Sequence, residues 1–241
     1  MVFCFPSLSY DSWQLTNILL QKAEGKSLQS SRHRIPCSEK GGRMSESRFR
    51  ERLRSATAEA HEEMERSAPM EEISSSLLGY YSFLQRLQSP WLEWEYALAN
   101  TPLVHFGELR LMDRFRGKLL CDDLLNLRSR LRGMVGDSLT DFEPKSTERL
   151  NLPRAAGVLY VLEGARFGGR AILQKLAPLG VTPEKGGSFF QGYGNETGSM
   201  WSSFLEWVEQ HVPEADFDQS ADAAVDVFEA FTSAWLEPNY D

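Results

Sequence analysis

The stretch LYVLEGARFGGRAIL, residues 159–173, combines the apolar spacing of a helix with three glycines, Gly164, Gly168 and Gly169. A glycine destabilises a helix interior by about 0.5–1 kcal/mol relative to alanine. Gly164 and Gly168 are one turn apart, so they share a helix face that is almost bare backbone. Three interpretations stay open: a close crossing with another helix, a break in the helix, or close contact with a flat ligand.

The rest of the chain indicates a single-domain, all-α helical bundle. Its composition, 41% hydrophobic and 25% charged, is ordinary for a globular protein, and the net charge of −8 gives no support to nucleic-acid binding. No apolar run approaches the roughly 18–20 residues that a membrane span needs. Three scattered cysteines without a CxxC pair argue against a disulfide framework or a thiolate zinc site, and they favour a cytoplasmic location.

Proline and glycine breakers divide the chain into predicted helices. These helices cover residues of about 46–67, 73–99, 110–133, 153–178, 197–211 and 218–236. Ser45 or Ser47 is the expected cap of the first helix, and Thr197 is the expected cap of the fifth.

Residues 1–43 differ from the rest of the sequence. They show little sustained periodicity, and they lack the basic region, long apolar region and cleavage site of a signal peptide. Met44 then opens a strongly helical pattern. We expect residues 1–43 to be an N-terminal extension upstream of a natural start, with residues 44–241 as the functional domain. A regulatory or targeting arm is the other interpretation.

His61 stands out among the four histidines, because it lies deep in the first predicted helix between small alanines. Glu65 shares its face one turn later, where a carboxylate can orient an imidazole that binds a metal. Arg54 lies two turns earlier, about 10 Å along the axis, where it can pair with carboxylates at a ligand's edge. A solvated charged face is the alternative. With Gly164 on another helix, a flat macrocycle held between the two helices accounts for both patterns.

Three further patterns have weaker interpretations. Residues 136–139 spell GDSL, which is either a turn or the nucleophile motif of a serine hydrolase with Ser138, and the turn is favoured. Aromatic residues after the glycine-rich stretch can wall an apolar pocket or pack in the core; they are Phe189, Phe190, Tyr193 and Trp201. Basic residues recur from 110 to 132, where they can dock an acidic partner protein or face solvent; they are Arg110, Arg114, Arg116, Lys118, Arg128, Arg130 and Arg132.

Three segments together resemble the heme oxygenases, most closely the bacterial branch that is often encoded beside bacteriophytochromes. LRSATAEAHEEME (53–65) resembles the family's proximal helix, and LYVLEGARFGGRAIL (159–173) resembles its distal helix. FFQGYGNETGSMWSSF (189–204) resembles the segment after the distal helix in the bacterial branch. The resemblance covers about residues 44–236, and it implies a helical bundle with heme between a proximal and a distal helix.

The resemblance also implies roles for individual residues. His61 binds the heme iron, Glu65 orients His61, and Arg54 meets a heme propionate. The catalytic distal face is formed by Gly164 and Gly168, and Gly169 belongs to the same cofactor-binding helix.

Two departures from the family pattern leave roles open. The animal enzymes place an aspartate after the first distal glycine, where this chain has Ala165. Ala165 therefore contributes no hydrogen bond to the catalytic site, and the polar network falls to backbone, water, Arg166 or Glu163. No basic residue stands at the expected propionate position after the distal helix, so Arg166, Arg170 and Tyr193 are the candidate substitutes.

The resemblance implies a biliverdin-producing heme oxygenase that uses heme b as both cofactor and substrate. Such an enzyme uses O2 and electrons to cleave heme at a meso carbon, giving biliverdin, ferrous iron and CO. No glycine-rich nucleotide-binding fingerprint follows a strand, so the electrons are expected from a ferredoxin or a flavoprotein reductase. A bacteriophytochrome is a candidate acceptor of the bilin. The alternatives are a non-catalytic heme carrier or sensor on the same fold, and a heme-free helical enzyme such as a thiaminase-like protein.

Overall fold

Eight α-helices form the part of the chain that the computed structural model describes, namely residues 47–136, 142 and 149–236. The helices are α1 (Arg48–Ala56), α2 (Ala58–Ser67), α3 (Met70–Ser75), α4 (Leu77–Ala99), α5 (Gly117–Arg130), α6 (Leu152–Leu176), α7 (Thr197–His211) and α8 (Phe217–Leu236). Short 3-10 and π turns connect several of them, and no strand occurs within these ranges. The predicted all-α class is confirmed.

The predicted helix over 46–67 is in fact two helices. Ser47 caps α1 by accepting a hydrogen bond from the Arg50 N–H at 3.2 Å, as expected for one of the two candidate serines. Thr57 ends α1, where its backbone leaves helical geometry at φ −97°, ψ 1°. Its hydroxyl donates to the Leu53 carbonyl at 2.8 Å. Back-bonding of this kind is a known cause of helix bending.

Three other predicted boundaries need correction. The helix predicted over 73–99 starts at Leu77, because Ser76 accepts the Gly79 N–H and begins a new helix. The helix predicted over 110–133 is α-helical only within α5, because Arg110 takes a left-handed φ of 51° between two 3-10 turns. Thr197 is the first residue of α7 and not its cap, and its hydroxyl donates to the Gly194 carbonyl.

Helix α6 is continuous through all three of its predicted glycines, so the helix break is excluded. Asn151 caps it by accepting the Arg154 N–H at 3.0 Å. Helix α6 packs most extensively against α8, and the two cross closely at Gly157. A Cβ built at Gly157 would lie 1.9 Å from the Ser220 carbonyl oxygen, so only glycine permits this crossing.

The helices α1, α2 and α3 follow one another along one side of α6, but they do not pack on it equally. Phe49 of α1 contacts Tyr160 of α6 edge-on at 6.0 Å between ring centroids, and α3 also packs against α6. Helix α2 packs instead against α8. The middle of α6 is therefore left uncovered on the side of α2, and the candidate site lies there.

Two sequence predictions lie outside the described residues. These are the extension over residues 1–43 and the possible hydrolase motif with Asp137 and Ser138.

Candidate functional site

A cavity of about 1120 Å³ lies between α2 and α6. Its volume is slightly above the roughly 300–1,000 Å³ typical of small-molecule sites. Most of its wall is apolar or aromatic, with a few charged groups. Its lining includes Arg50, Arg54, Thr57, His61, Met64, Glu65, Met70, Phe83, Leu87, Trp91, Arg116, Tyr160, Val161, Gly164, Ala165, Phe167, Gly168, Ile172, Lys175, Phe189, Phe190, Trp201, Phe228, Phe231 and Trp235.

Gly164 and Gly168 present open backbone to this cavity. A Cβ built on either residue meets no atom within 4 Å, so no neighbouring helix requires a glycine there. The crossing-helix interpretation is therefore excluded for both. It does hold for Gly169, where a Cβ would lie 2.4 Å from the Phe190 carbonyl oxygen. Gly169 is outside the cavity lining, and its lack of a side chain is explained by this contact.

His61 lines the same cavity from α2, with 48% of its side chain exposed. Its Nε2 lies 3.7 Å from Glu65 Oε1, which is within ion-pair range but longer than a hydrogen bond. Phe228 of α8 supports the imidazole edge-on, with 5.2 Å between ring centroids. The imidazole thus has an aromatic neighbour on one side and a carboxylate one turn along its helix.

Part of the cavity wall is basic and phenolic. Arg54, Arg50 and Tyr160 all line the cavity. Burial raises the pKa of Tyr160, and the positive charges of Arg50 and Arg54 partly oppose this shift. Sequence reasoning missed Arg50 and Tyr160. Both carry a signal that it could have used, because Arg50 is one turn before Arg54 and Tyr160 is one turn before Gly164.

Ala165 also lines the cavity, so its position offers no hydrogen-bonding side chain there. Glu163 and Arg166, two of the predicted substitutes, are buried away from the cavity lining. Arg166 Nε donates to Glu163 Oε1 at 3.1 Å, and Arg114 Nη1 donates to Glu163 Oε2 at 2.7 Å. Each oxygen of the Glu163 carboxylate therefore accepts a hydrogen bond from one of these two guanidinium groups.

Tyr193 belongs to the same buried network and not to the cavity. Its hydroxyl donates to Glu163 Oε1 at 2.8 Å, and the Arg166 guanidinium lies 3.7 Å above its ring. Burial raises the pKa of Tyr193, and the negative charge of Glu163 adds to the shift. Of the aromatic residues predicted to wall a pocket, Phe189, Phe190 and Trp201 do so.

The interpretation of residues 110–132 as a uniformly surface-facing basic stretch is wrong at two positions. Arg114 is 3% exposed and Arg116 is 1% exposed, because each donates hydrogen bonds to backbone carbonyls in the interior. Arg114 bonds the Leu109 and Met200 carbonyls. These two residues are structural cations, and Arg116 also lines the cavity.

No helix within the described ranges is long and apolar enough to cross a bilayer. No group of three or more His, Cys, Asp or Glu side chains there is arranged to hold a metal ion.

The chain is similar in structure to a heme oxygenase from Neisseria meningitidis, a protein crystallised with NO and with CO bound. The TM-score is 0.64 at 17% sequence identity, and the match covers 78% of this chain and 89% of the other. No protein-family model and no curated protein matches the sequence. At this identity the likeness shows the fold, and the chain has the heme oxygenase fold.

Proposed function

We propose that the cavity binds heme and that the protein is a biliverdin-producing heme oxygenase. The observation that carries the proposal is the pair Gly164 and Gly168, whose bare backbone lines one cavity together with His61. No side chain or neighbouring helix occupies the space in front of these glycines. A cradle of this kind costs helix stability and fills no packing need in the described structure, so we assign it to a flat ligand.

The donor set fits heme. His61 offers an imidazole, which is the commonest proximal ligand of heme iron in proteins that handle oxygen. Glu65 is placed to hold the other ring nitrogen, directly or through water, and so to fix the ring's orientation. Arg54, Arg50 and Tyr160 supply two guanidinium groups and a phenol to the cavity wall, which suits the two propionate carboxylates.

Two further parts of the cavity wall have roles in this proposal, namely its apolar side chains and the bare face of α6. The aromatic and aliphatic side chains exclude water, which strengthens every polar interaction inside the cavity. The bare face of α6 brings the ligand close to backbone and leaves no bulky acid or base above it. When bound, heme supplies the iron at which O2 and electrons react, and heme is also the molecule that is cleaved.

The reducing partner in this proposal is a separate protein, a ferredoxin or a flavoprotein reductase. A strand followed by a glycine-rich turn, the nucleotide-binding signature, does not occur among the described residues. A bacteriophytochrome as bilin acceptor and a cytoplasmic location stay predictions from the sequence.

One observation favours a second candidate, a non-catalytic heme carrier or sensor. Ala165 cannot donate a hydrogen bond, and the side chains of Glu163 and Arg166 are committed elsewhere. A cavity whose α6 side offers heme no hydrogen-bonding side chain would retain heme without cleaving it.

Hemin titration followed by turnover tests these proposals. The wild type is expected to give a sharp Soret band with hemin at one equivalent, and His61→Ala is expected to lose that ligation signature while keeping its far-UV circular dichroism. His105→Ala is the matched control, because His105 lies in a turn outside the cavity lining.

Adding ascorbate or a reductase system then separates the candidates. Loss of the Soret band with growth of biliverdin absorption supports the oxygenase, and a Soret band that persists supports the carrier. Identical hemin titrations for wild type and His61→Ala would contradict both, and would favour a heme-free enzyme on this fold.

A further inference from the structure

A short segment outside the α-helices, residues 183–190, supplies two aromatic side chains to the cavity wall. We call it the wall segment. It consists of one π turn and one 3-10 turn, and its last two residues, Phe189 and Phe190, both line the cavity. Because only short turns order its own backbone, its position depends on contacts with other elements.

Asp123 of α5 holds the end of the wall segment. Its Oδ1 accepts the Ser188 N–H at 3.0 Å and the Ser188 hydroxyl at 2.8 Å, and its Oδ2 accepts the Phe189 N–H at 2.8 Å. Asp123 is only 3% exposed, so water does not compete for these donors. Hydrogen bonds to an ionised carboxylate are stronger than those between neutral groups. The carboxylate therefore fixes the backbone of Ser188 and Phe189 relative to α5.

Further contacts press the wall segment onto its neighbours. The Tyr80 hydroxyl donates to the Gly186 carbonyl at 2.9 Å, and Arg116 Nη1 donates to the Phe189 carbonyl at 3.0 Å. Gly186 takes a left-handed φ of 85°, and a Cβ built there would lie 2.9 Å from the Leu127 side chain of α5. The segment thus has little room to move while the hydrogen bonds of Asp123 are intact.

Aromatic contacts pass the position of this backbone on to the cavity wall. The Phe189 ring meets Trp91 edge-on at 4.8 Å between centroids, and it lies 5.0 Å from the Phe190 ring, which stacks on Phe83. Protein interiors are close-packed, so a shift of the Phe189 backbone moves one or both rings. Asp123 is outside the cavity lining, yet it determines where these two rings stand.

The wall segment and the basic part of the wall meet α6 at separate places. Tyr160 lies within the electrostatic influence of Arg50 and Arg54, whereas the Phe190 carbonyl packs against Gly169. Nine residues of continuous helix separate Tyr160 from Gly169, which is about 14 Å along the axis. Charge recognises a ligand at the first place and shape does so at the second. Contacts with the edge of a flat ring are what limit its rotation in its own plane.

We infer that Asp123 is a positioning residue that sets the in-plane orientation of the bound heme, and thereby the meso carbon that is cleaved. This inference rests on the proposed function and adds to it a determinant of product specificity. Asp123 acts through Phe189 and Phe190. A wall held in one position admits one ring orientation and gives one biliverdin isomer, whereas a loosened wall admits more than one.

Proton NMR of the ferric cyanide complexes tests the orientation without turnover. The shifts of the heme methyl groups depend on the angle between the ring and the His61 imidazole. The wild type is expected to show one set of methyl resonances, and Asp123→Asn is expected to show a second set. Asp122→Asn is the matched control, because Asp122 is the adjacent, partly exposed carboxylate that pairs with Lys118 outside the cavity lining. It is expected to keep the wild-type pattern.

The isomers formed on turnover provide the second measurement. The wild type is expected to form one biliverdin isomer, and Asp123→Asn is expected to form a second isomer as about a tenth or more of the product. Ser188→Ala removes only one of the three hydrogen bonds and guards against misfolding of Asp123→Asn. It is expected to change the methyl pattern and the isomer ratio in the same direction, to a smaller extent.

Hydrogen exchange in the ligand-free protein tests the hold on the wall segment independently of heme. The Ser188 and Phe189 amides are expected to exchange about tenfold faster or more in Asp123→Asn than in the wild type. Unchanged exchange would overturn the inference, because the segment would then be held without Asp123.

The remaining outcomes separate the inference from the proposed function. If the wild type shows no Soret band with hemin, the proposed function fails and the inference falls with it. If hemin binds and exchange accelerates in Asp123→Asn, but the methyl pattern and the isomer ratio stay at their wild-type values, the inference alone fails. Asp123 would then support the fold without orienting the ligand.

Discussion

His61 of α2 and Gly164 of α6 line one cavity, although their helices do not pack against each other. Both helices pack instead on α8, which keeps them apart. Contacts between α1 and α6 and between α3 and α6 span the gap on either side of α2. The space between the imidazole and the bare backbone is therefore a consequence of the helix arrangement.

Replacing the cavity glycines with alanine is expected to stabilise the ligand-free protein. A methyl group at Gly164 or Gly168 meets no atom within 4 Å, and it removes the helix penalty of glycine. We expect each of Gly164→Ala and Gly168→Ala to raise the free energy of unfolding by about 0.5–1 kcal/mol in urea titrations. Gly164→Leu is expected to weaken hemin binding at least tenfold without loss of stability.

The matched controls lie on the same helix. Gly157→Ala and Gly169→Ala would place a methyl group 1.9 and 2.4 Å from backbone carbonyl oxygens, so both are expected to destabilise the protein by about 1–3 kcal/mol. Equal changes in the free energy of unfolding at all four positions would contradict the distinction between glycines that line the cavity and glycines at close backbone contacts.

The spacing within residues 159–173 was sufficient to predict α6 and the shared face of Gly164 and Gly168. The same spacing placed His61, Glu65 and Arg54 on one side of the chain, and all three line the cavity, although the break at Thr57 puts Arg54 on α1 and the other two on α2. These features are local, because helix periodicity alone decides which side chains share a face. The sequence pattern did not distinguish Gly169 from Gly168, because the distinction depends on the distant Phe190 backbone.

Nothing in the sequence around Arg114 and Arg116 indicates that these two residues are buried. The partners of Arg116 are the Leu162 and Phe189 carbonyls, and an important partner of Arg114 is Glu163, all far along the chain. Arginine is rarely buried unless it is paired, so a basic stretch is ordinarily expected at the surface. The break at Thr57 also had no local signal, since threonine is tolerated in many helices.

Arg54 is expected to recognise the carboxylates of the ligand and not its ring. Arg54→Gln should therefore weaken hemin binding about three- to tenfold, the range expected for a partly exposed charge-assisted hydrogen bond. It should leave the affinity for hemin dimethyl ester, which has no free carboxylates, unchanged. Absorbance titrations with the two ligands measure the difference directly.

Arg52→Gln is the control for Arg54→Gln, because Arg52 is an exposed arginine of the same helix that pairs with Asp218 and does not line the cavity. A loss of affinity in Arg54→Gln that is the same for hemin and its dimethyl ester would show that Arg54 acts on the protein's structure.

Glu163→Gln is expected to be among the most destabilising conservative substitutions in the chain. It would leave the guanidinium groups of Arg114 and Arg166 buried without their shared counter-ion, at about 3–5 kcal/mol in the free energy of unfolding. Tyr193→Phe removes one hydrogen bond to the same carboxylate and should lose about 1 kcal/mol. Urea unfolding of both variants tests this order, and similar losses would show that the ion pairs contribute little.

The exposed pair Arg52–Asp218 provides the comparison for this network. Asp218→Asn removes a carboxylate that water already screens, so its effect is expected to stay below about 1 kcal/mol.

Glu95 is expected to make stability depend on pH in a direction opposite to that of a surface ion pair. Burial raises the pKa of its carboxyl above the ordinary value of 4.5, although the N–H donors of Arg116, Trp91 and Gly117 oppose the shift. The native state therefore holds this proton to higher pH than the unfolded chain does. The contribution of Glu95 to the free energy of unfolding is fully present below pH about 4.5, and it is lost as the pH rises toward the raised native pKa.

The side chain of Glu95→Gln cannot titrate. Its amide leaves one of the N–H donors without an acceptor, which lowers the free energy of unfolding by about 1–3 kcal/mol at every pH. The wild type is thus expected to lose stability relative to Glu95→Gln as the pH rises from 4.5, because its native state then binds more protons than its unfolded state. Urea unfolding of both proteins at several pH values between 4 and 8 measures this, with Glu229→Gln, which removes an exposed carboxylate of α8, as the control. A wild-type advantage that grows with pH would show that the three N–H donors outweigh burial and hold the Glu95 pKa below its ordinary value.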